Sequence, residues 1–154
     1  MEERIASLKQ VSGHTYDTVY DLVFTTDRMV ALIVWHPGDA PVRFGMMEMF
    51  IGGQLAKRNE RVAKAGLMEE RRNLHEEKCL DEVIGLHRLN FVIPYRSIAS
   101  VEVRRGLFRS YVEFRIIGAS MAERMVRFTL ARARHREARE VVAEMMAGIR
   151  GKQP

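Results

Sequence analysis

The chain has 154 residues, 47% apolar and 29% charged, a length and balance that suit one domain with a sizeable core and exclude intrinsic disorder. The net charge of +5 is uneven: residues 1–42 hold three basic and six acidic side chains, whereas residues 91–154 hold thirteen and six. The longest strongly apolar stretch, Met29 to Trp35, is far shorter than the roughly 20 residues of a membrane-spanning helix.

A first strand is expected from about Ile5 to Ser12, ended by Gly13. Val19 to Thr25 predicts a second, with Tyr20, Leu22 and Phe24 on one face and Asp21 and Val23 on the other. After a tight Thr26-Asp27 connection, Met29 to Trp35 is nearly continuous in apolar residues. A third strand buried on both faces, paired with the second as a hairpin, is the natural reading. His36 to Pro41 stops it, because two prolines and a glycine break any ladder. Phe44, Met47, Ile51 and Leu55 then recur at helical spacing, so a helix is expected from about Phe44, weakened at Gly52-Gly53. The polar run that follows reads as a solvated helix supported by pairs such as Glu60 with Lys64. A short helix is expected over Leu80 to Leu86. Residues 43–90 thus read as a helical insertion between two β segments.

Period two then returns. Phe91 to Pro94 is short and extended, and Ile98 to Arg104 alternates Val101 and Val103 with Glu102 and Arg104. Tyr111 to Ile117 places Val112, Phe114 and Ile116 on one face. Glu123 to Leu130 places Val126, Phe128 and Leu130 inward. An antiparallel meander follows from this spacing. From about Arg134 to Ile149, Ala138, Val141, Val142, Met145 and Ile149 form the apolar stripe of an amphipathic helix.

The order is three strands, a helical insertion, four strands and a terminal helix. Two passages resemble pleckstrin-homology-like domains in the broad bacterial and GRAM-like sense. One is YDLVFTTDRMVALI at 20–33, with its Thr25-Thr26-Asp27-Arg28 turn. The other is NFVIPYRSIASVEV at 90–103. The final helix is similar as well. The resemblance implies an α+β fold in which residues 1–154 form a single domain: a seven-stranded antiparallel barrel of two nearly orthogonal sheets, plugged by the C-terminal helix. Two features depart from that pattern. The insertion between the third and fourth strands replaces a short loop. The first hairpin, where phosphoinositide-binding members concentrate lysine and arginine, has Lys9 and His14 facing Asp17 and Asp21, so the usual phosphoinositide site is expected to be absent.

Candidate sites are few. His75 and Cys79 share a helical face, but zinc needs about four ligands and no other His or Cys is close in sequence. His36, His87 and His135 belong to no nucleophile motif. No catalytic residue, cofactor or metal ligand is therefore assigned, and the chain reads as a non-enzyme. Asp27 is expected to shape the turn before the third strand, and Arg28 to pack its stem or pair with a carboxylate. Arg104, Arg105 and Arg109 flank a turn at Gly106-Leu107-Phe108 that suits an acidic lipid surface or a nucleic-acid backbone. Met46, Met47, Met49 and Phe50 form a soft apolar cluster suited to internal packing or a partner contact.

The leading expectation is a non-catalytic binding or scaffold module whose partner is a protein, a peptide or a second copy of the chain. Peripheral attachment to acidic membranes through the basic tip is the second, and nucleic-acid binding the third. The lone cysteine and an N-terminus without an apolar run suggest a cytoplasmic protein without a secretory signal.

Overall fold

The computed structural model describes residues 3–13, 17–39, 53–118 and 122–150. His14 and the cluster Met46, Met47, Met49 and Phe50 lie outside these residues, as does the expected helix start near Phe44. Seven antiparallel strands form one sheet: β1 (Arg4–Ser12), β2 (Val19–Thr25), β3 (Arg28–Trp35), β4 (Phe91–Pro94), β5 (Ile98–Arg105), β6 (Arg109–Ile117) and β7 (Glu123–Ala131). The helices are α1 (Gly53–Glu77), α2 (Leu80–Gly85) and α3 (His135–Arg150).

The strand order is β4-β3-β2-β1-β7-β6-β5. Within each half the ladders run through the strands, whereas β1 meets β7 at the Ser12–Thr129 pair. The two outermost strands, β4 and β5, are joined by Tyr95–Ser97 alone. Such a link spans at most about 14 Å, so the end of β4 stays near the start of β5. The sheet's concave side holds the main core, with Leu8, Leu22, Phe24 and Met29 from the first half and Val112, Phe114 and Phe128 from the second. Ala138, Val142 and Met145 of α3 belong to the same cluster. Helix α3 reaches β1 on one side and β5 and β6 on the other. A side chain at Gly148 would collide with Ile5, since its Cβ would lie 2.6 Å from Ile5 Cδ1, so glycine there lets the helix sit close to β1.

Strands β2 and β3 are buried on both faces, as the unbroken apolar run of β3 predicts. On the convex side, Val23, Val30 and Leu32 pack against Val83 of α2, and Val19 and Val34 against Met68 of α1. Each such side chain is worth roughly 1.5–3 kcal/mol buried rather than exposed. That is why α1 stays on the sheet despite its polar sequence. The expectation of a solvated helix is corrected for the face that carries Met68 and His75, both of which are buried. Lys64 stands 3.6 Å from the centroid of the Trp35 ring rather than serving as a partner for Glu60.

Strand β1 contains a bulge. Leu8 pairs with Leu22 and Val11 with Tyr20, so Lys9 and Gln10 together oppose Asp21. Leu8 and Val11, three apart, would face opposite sides of a regular strand; the bulge turns both into the core. Gln10 adopts a left-handed backbone, φ 56°.

The two passages that carry the family resemblance touch each other. Arg28 pairs with Pro94 across β3 and β4. The Tyr95 hydroxyl donates to the Thr25 carbonyl at 2.8 Å, and the Tyr95 N–H to the Asp27 carbonyl at 3.2 Å. The Thr25 hydroxyl itself ties the turn, donating to the Arg28 carbonyl and accepting from the N–H groups of Asp27 and Arg28. The Thr25 side chain thus shapes the turn. Arg28 meets Asp81 of α2 at 2.6 Å, pinning the insertion to the turn.

Candidate functional site

The β5–β6 hairpin ends in a tight turn, with the Gly106 N–H donating to the Arg109 carbonyl at 2.8 Å. A Cβ at position 106 would lie 2.9 Å from that carbonyl, so the turn is built around glycine. Leu107 and Phe108 project from its apex, 73% and 82% exposed. Arg105 and Arg109 flank them and are exposed. Arg132, just beyond β7, donates through Nη1 to the Leu107 carbonyl at 2.9 Å and fixes the tip from the side. Sequence reasoning missed Arg132, which lies 25 residues from Leu107. Arg104, which the sequence grouped with the tip, is directed elsewhere: it meets Glu102 at 3.0 Å and Glu113 at 3.4 Å on the convex face. Glu113, itself buried, also meets Arg127 at 2.6 Å. Its two arginines compensate the carboxylate's lost hydration.

A second polar cluster lies under α1. Asp21 is 6% exposed. Arg72 grips it through Nε at 2.7 Å and Nη2 at 2.9 Å, and the Gln10 N–H adds a third bond at 2.7 Å. This is a two-pronged, charge-assisted pair, and it raises the Arg72 pKa further, chiefly through the Asp21 hydrogen bond. Asp21 is therefore engaged beneath a helix and is no surface counter-charge to Lys9. His75 is buried beside it, and burial lowers its pKa, opposed by the Asp21 charge and reinforced by Arg71, Arg4 and Arg72. Arg4 reaches the His75 carbonyl at 3.5 Å. A cavity of about 270 Å³ opens here between β1 and α1. Both Asp21 oxygens are occupied, so the cluster anchors the helix and bulge and offers no poised base. One signal in the sequence pointed to it: an aspartate amid the apolar residues of β2.

His75 and Cys79, read as neighbours on one helical face, part company. His75 faces the sheet, whereas Cys79 caps α2 and is exposed, its N–H donating to the Glu82 carboxylate at 3.3 Å. Among the described residues, no group of three or more His, Cys, Asp or Glu is arranged to hold a metal ion. No helix among them is long and apolar enough to cross a membrane. No protein-family model, curated protein or solved structure matches the chain.

Proposed function

We propose that this chain is a non-catalytic binding module of pleckstrin-homology-like type, attached peripherally to acidic membrane surfaces through its β5–β6 tip. The strand order, the single pair joining the two halves and the reach of α3 across both support two near-orthogonal sheets closed into a capped barrel.

One observation carries the membrane reading: Leu107 and Phe108 stand out at a hairpin apex among Arg105, Arg109 and Arg132. An arginine near an acidic surface contributes about 1 kcal/mol. Burying a leucine or phenylalanine contributes roughly 1.5–3 kcal/mol. Neither contribution alone holds a domain to a bilayer, but together they do so reversibly. A peptide, a protein or a second copy fits less well, because a stable protein interface buries about 800 Å² on each partner and an isolated hairpin apex presents far less. A single-stranded nucleic acid would be expected to stack on several exposed aromatic rings, whereas the apex itself presents Phe108.

Co-sedimentation with phosphatidylcholine vesicles, with and without phosphatidylserine, tests this. The protein is expected to pellet only with the acidic vesicles, and the Leu107→Ser/Phe108→Ser double variant to bind at least about a hundredfold more weakly while melting at an unchanged temperature. Sedimentation indifferent to acidic lipid, or unchanged in the double variant, overturns the reading. A steeply salt-dependent complex with RNA in place of vesicle binding does the same.

A further inference from the structure

A groove of about 540 Å³ lies where the two halves of the sheet meet. Lys9 and Ser12 of β1, Lys64 of α1, Arg109 of β6, Thr129 of β7 and Arg134 just before α3 all line it, and among the described residues no acidic side chain does. Arg134 is a fixed wall. Glu137 holds it through both carboxylate oxygens at 2.6 and 2.7 Å, and its Nη1 donates to the Gln10 carbonyl at 3.2 Å. Its charge is thus largely offset. Lys9, Lys64 and Arg109 differ, because among the described residues none of them forms an ion pair.

Three cations from three separate elements therefore converge on one opening. Such self-repulsion is a folding cost that a bound anion removes. Lys9 and Arg109 are exposed and Lys64 is half-buried, whereas the half-buried Arg28, Arg71 and Arg72 each have a carboxylate partner. Alternation after the core residue Leu8 turns Lys9 off the core side, and the β1 bulge turns Gln10 away from it as well. Ser12 and Thr129 add hydroxyl donors at the floor. A carboxylate has two acceptor oxygens and one charge. A phosphate monoester or diphosphate has more of both, matching three cations and two hydroxyls.

We infer that this groove is a binding site for a phosphate monoester or diphosphate group. It stands apart from the membrane reading, sharing only Arg109 with the tip. Lys64 rests over the face of Trp35, a contact worth roughly 0.5–2 kcal/mol. A bound phosphate draws the ammonium off the ring. Trp35 is the chain's single tryptophan, so its emission reports occupancy.

The test is calorimetric titration of the full chain with inorganic pyrophosphate, with sodium chloride at matched ionic strength as the control for screening. Saturable binding is expected, accompanied by a change in Trp35 emission. Lys9→Gln and Lys64→Met should each weaken it about tenfold, the loss of one charge-assisted contact. The tip double variant Leu107→Ser/Phe108→Ser should bind pyrophosphate as the parent does, which separates failure of the groove from failure of the tip. Vesicles with phosphatidic acid or phosphatidylglycerol at equal surface charge distinguish the source of the group. Preference for phosphatidic acid, reversed by pyrophosphate, identifies a lipid headgroup; pyrophosphate binding without that preference identifies a soluble ester. Absence of saturable heat at millimolar pyrophosphate, or equal affinity in parent, Lys9→Gln and Lys64→Met, overturns the site.

Discussion

His75 shows how a single buried side chain couples this fold to pH. It lies between α1 and the sheet, where burial disfavours its charged form and the nearby Asp21 only partly counters that. The unfolded imidazole takes up its proton near pH 6.5, and the folded one only at lower pH. Between those values the unfolded state binds more protons, so stability is full above about pH 6.5 and declines as pH falls through the window. Urea unfolding from pH 8 to pH 5 should show this decline, and His75→Gln should flatten it. Superimposable pH profiles for the two proteins would remove His75 as the cause. The charged groups that face it, Arg4, Arg71, Arg72 and Asp21, are common to both proteins, so the difference isolates the imidazole.

Among the elements, β1 is the one whose irregularity has a reason. Gln10 must take a left-handed backbone for Leu8 and Val11 to share the core. Such a conformation costs a side chain with a Cβ roughly 1–2 kcal/mol and a β-branched one more. Gln10→Val is therefore expected to destabilise the protein by about 2 kcal/mol, and Gln10→Gly to change stability by less than about 0.5 kcal/mol, as relief of the backbone offsets the entropy of glycine. Denaturant melts check both; a tolerated valine would show that the bulge is absent. The sequence could not announce this feature, since Lys9-Gln10 carries no glycine or asparagine to mark a left-handed site. Strands β2, β3, β6 and β7 were legible because their alternation, or its absence in β3, states directly how many faces are covered. The stripe Ala138, Val142, Met145 was equally plain. Helix α1 was legible as a helix but its docking was not, because that rests on a few residues, Met68, Arg72 and His75, whose partners lie some 35 to 55 positions away in β2 and β3. At the tip, periodicity exposed Leu107 and Phe108 but could not show that Arg104 turns toward Glu113 or that Arg132 arrives from the far end of β7.

For the whole molecule, the shared interior depends on α3. Its stripe completes a core drawn from both halves of the chain, and Met145 has no exposed surface. Removal of residues 134–154 uncovers Leu8, Val112 and Phe114 on the concave side. Loss of a cooperative thermal transition, or aggregation at room temperature, is the expected result; a truncated chain that melts sharply at the parent's temperature would mean the core is complete without the helix.

Among the described residues a single pair, Ser12–Thr129, joins β1 to β7, a thin seam between the halves, and both residues line the basic groove. A guest gripping Lys9 and Lys64 from one bank and Arg109 from the other would rivet the two together. Occupancy would then register as slower amide exchange along that line and a stiffer shell, a mechanical signal legible far from the ligand itself.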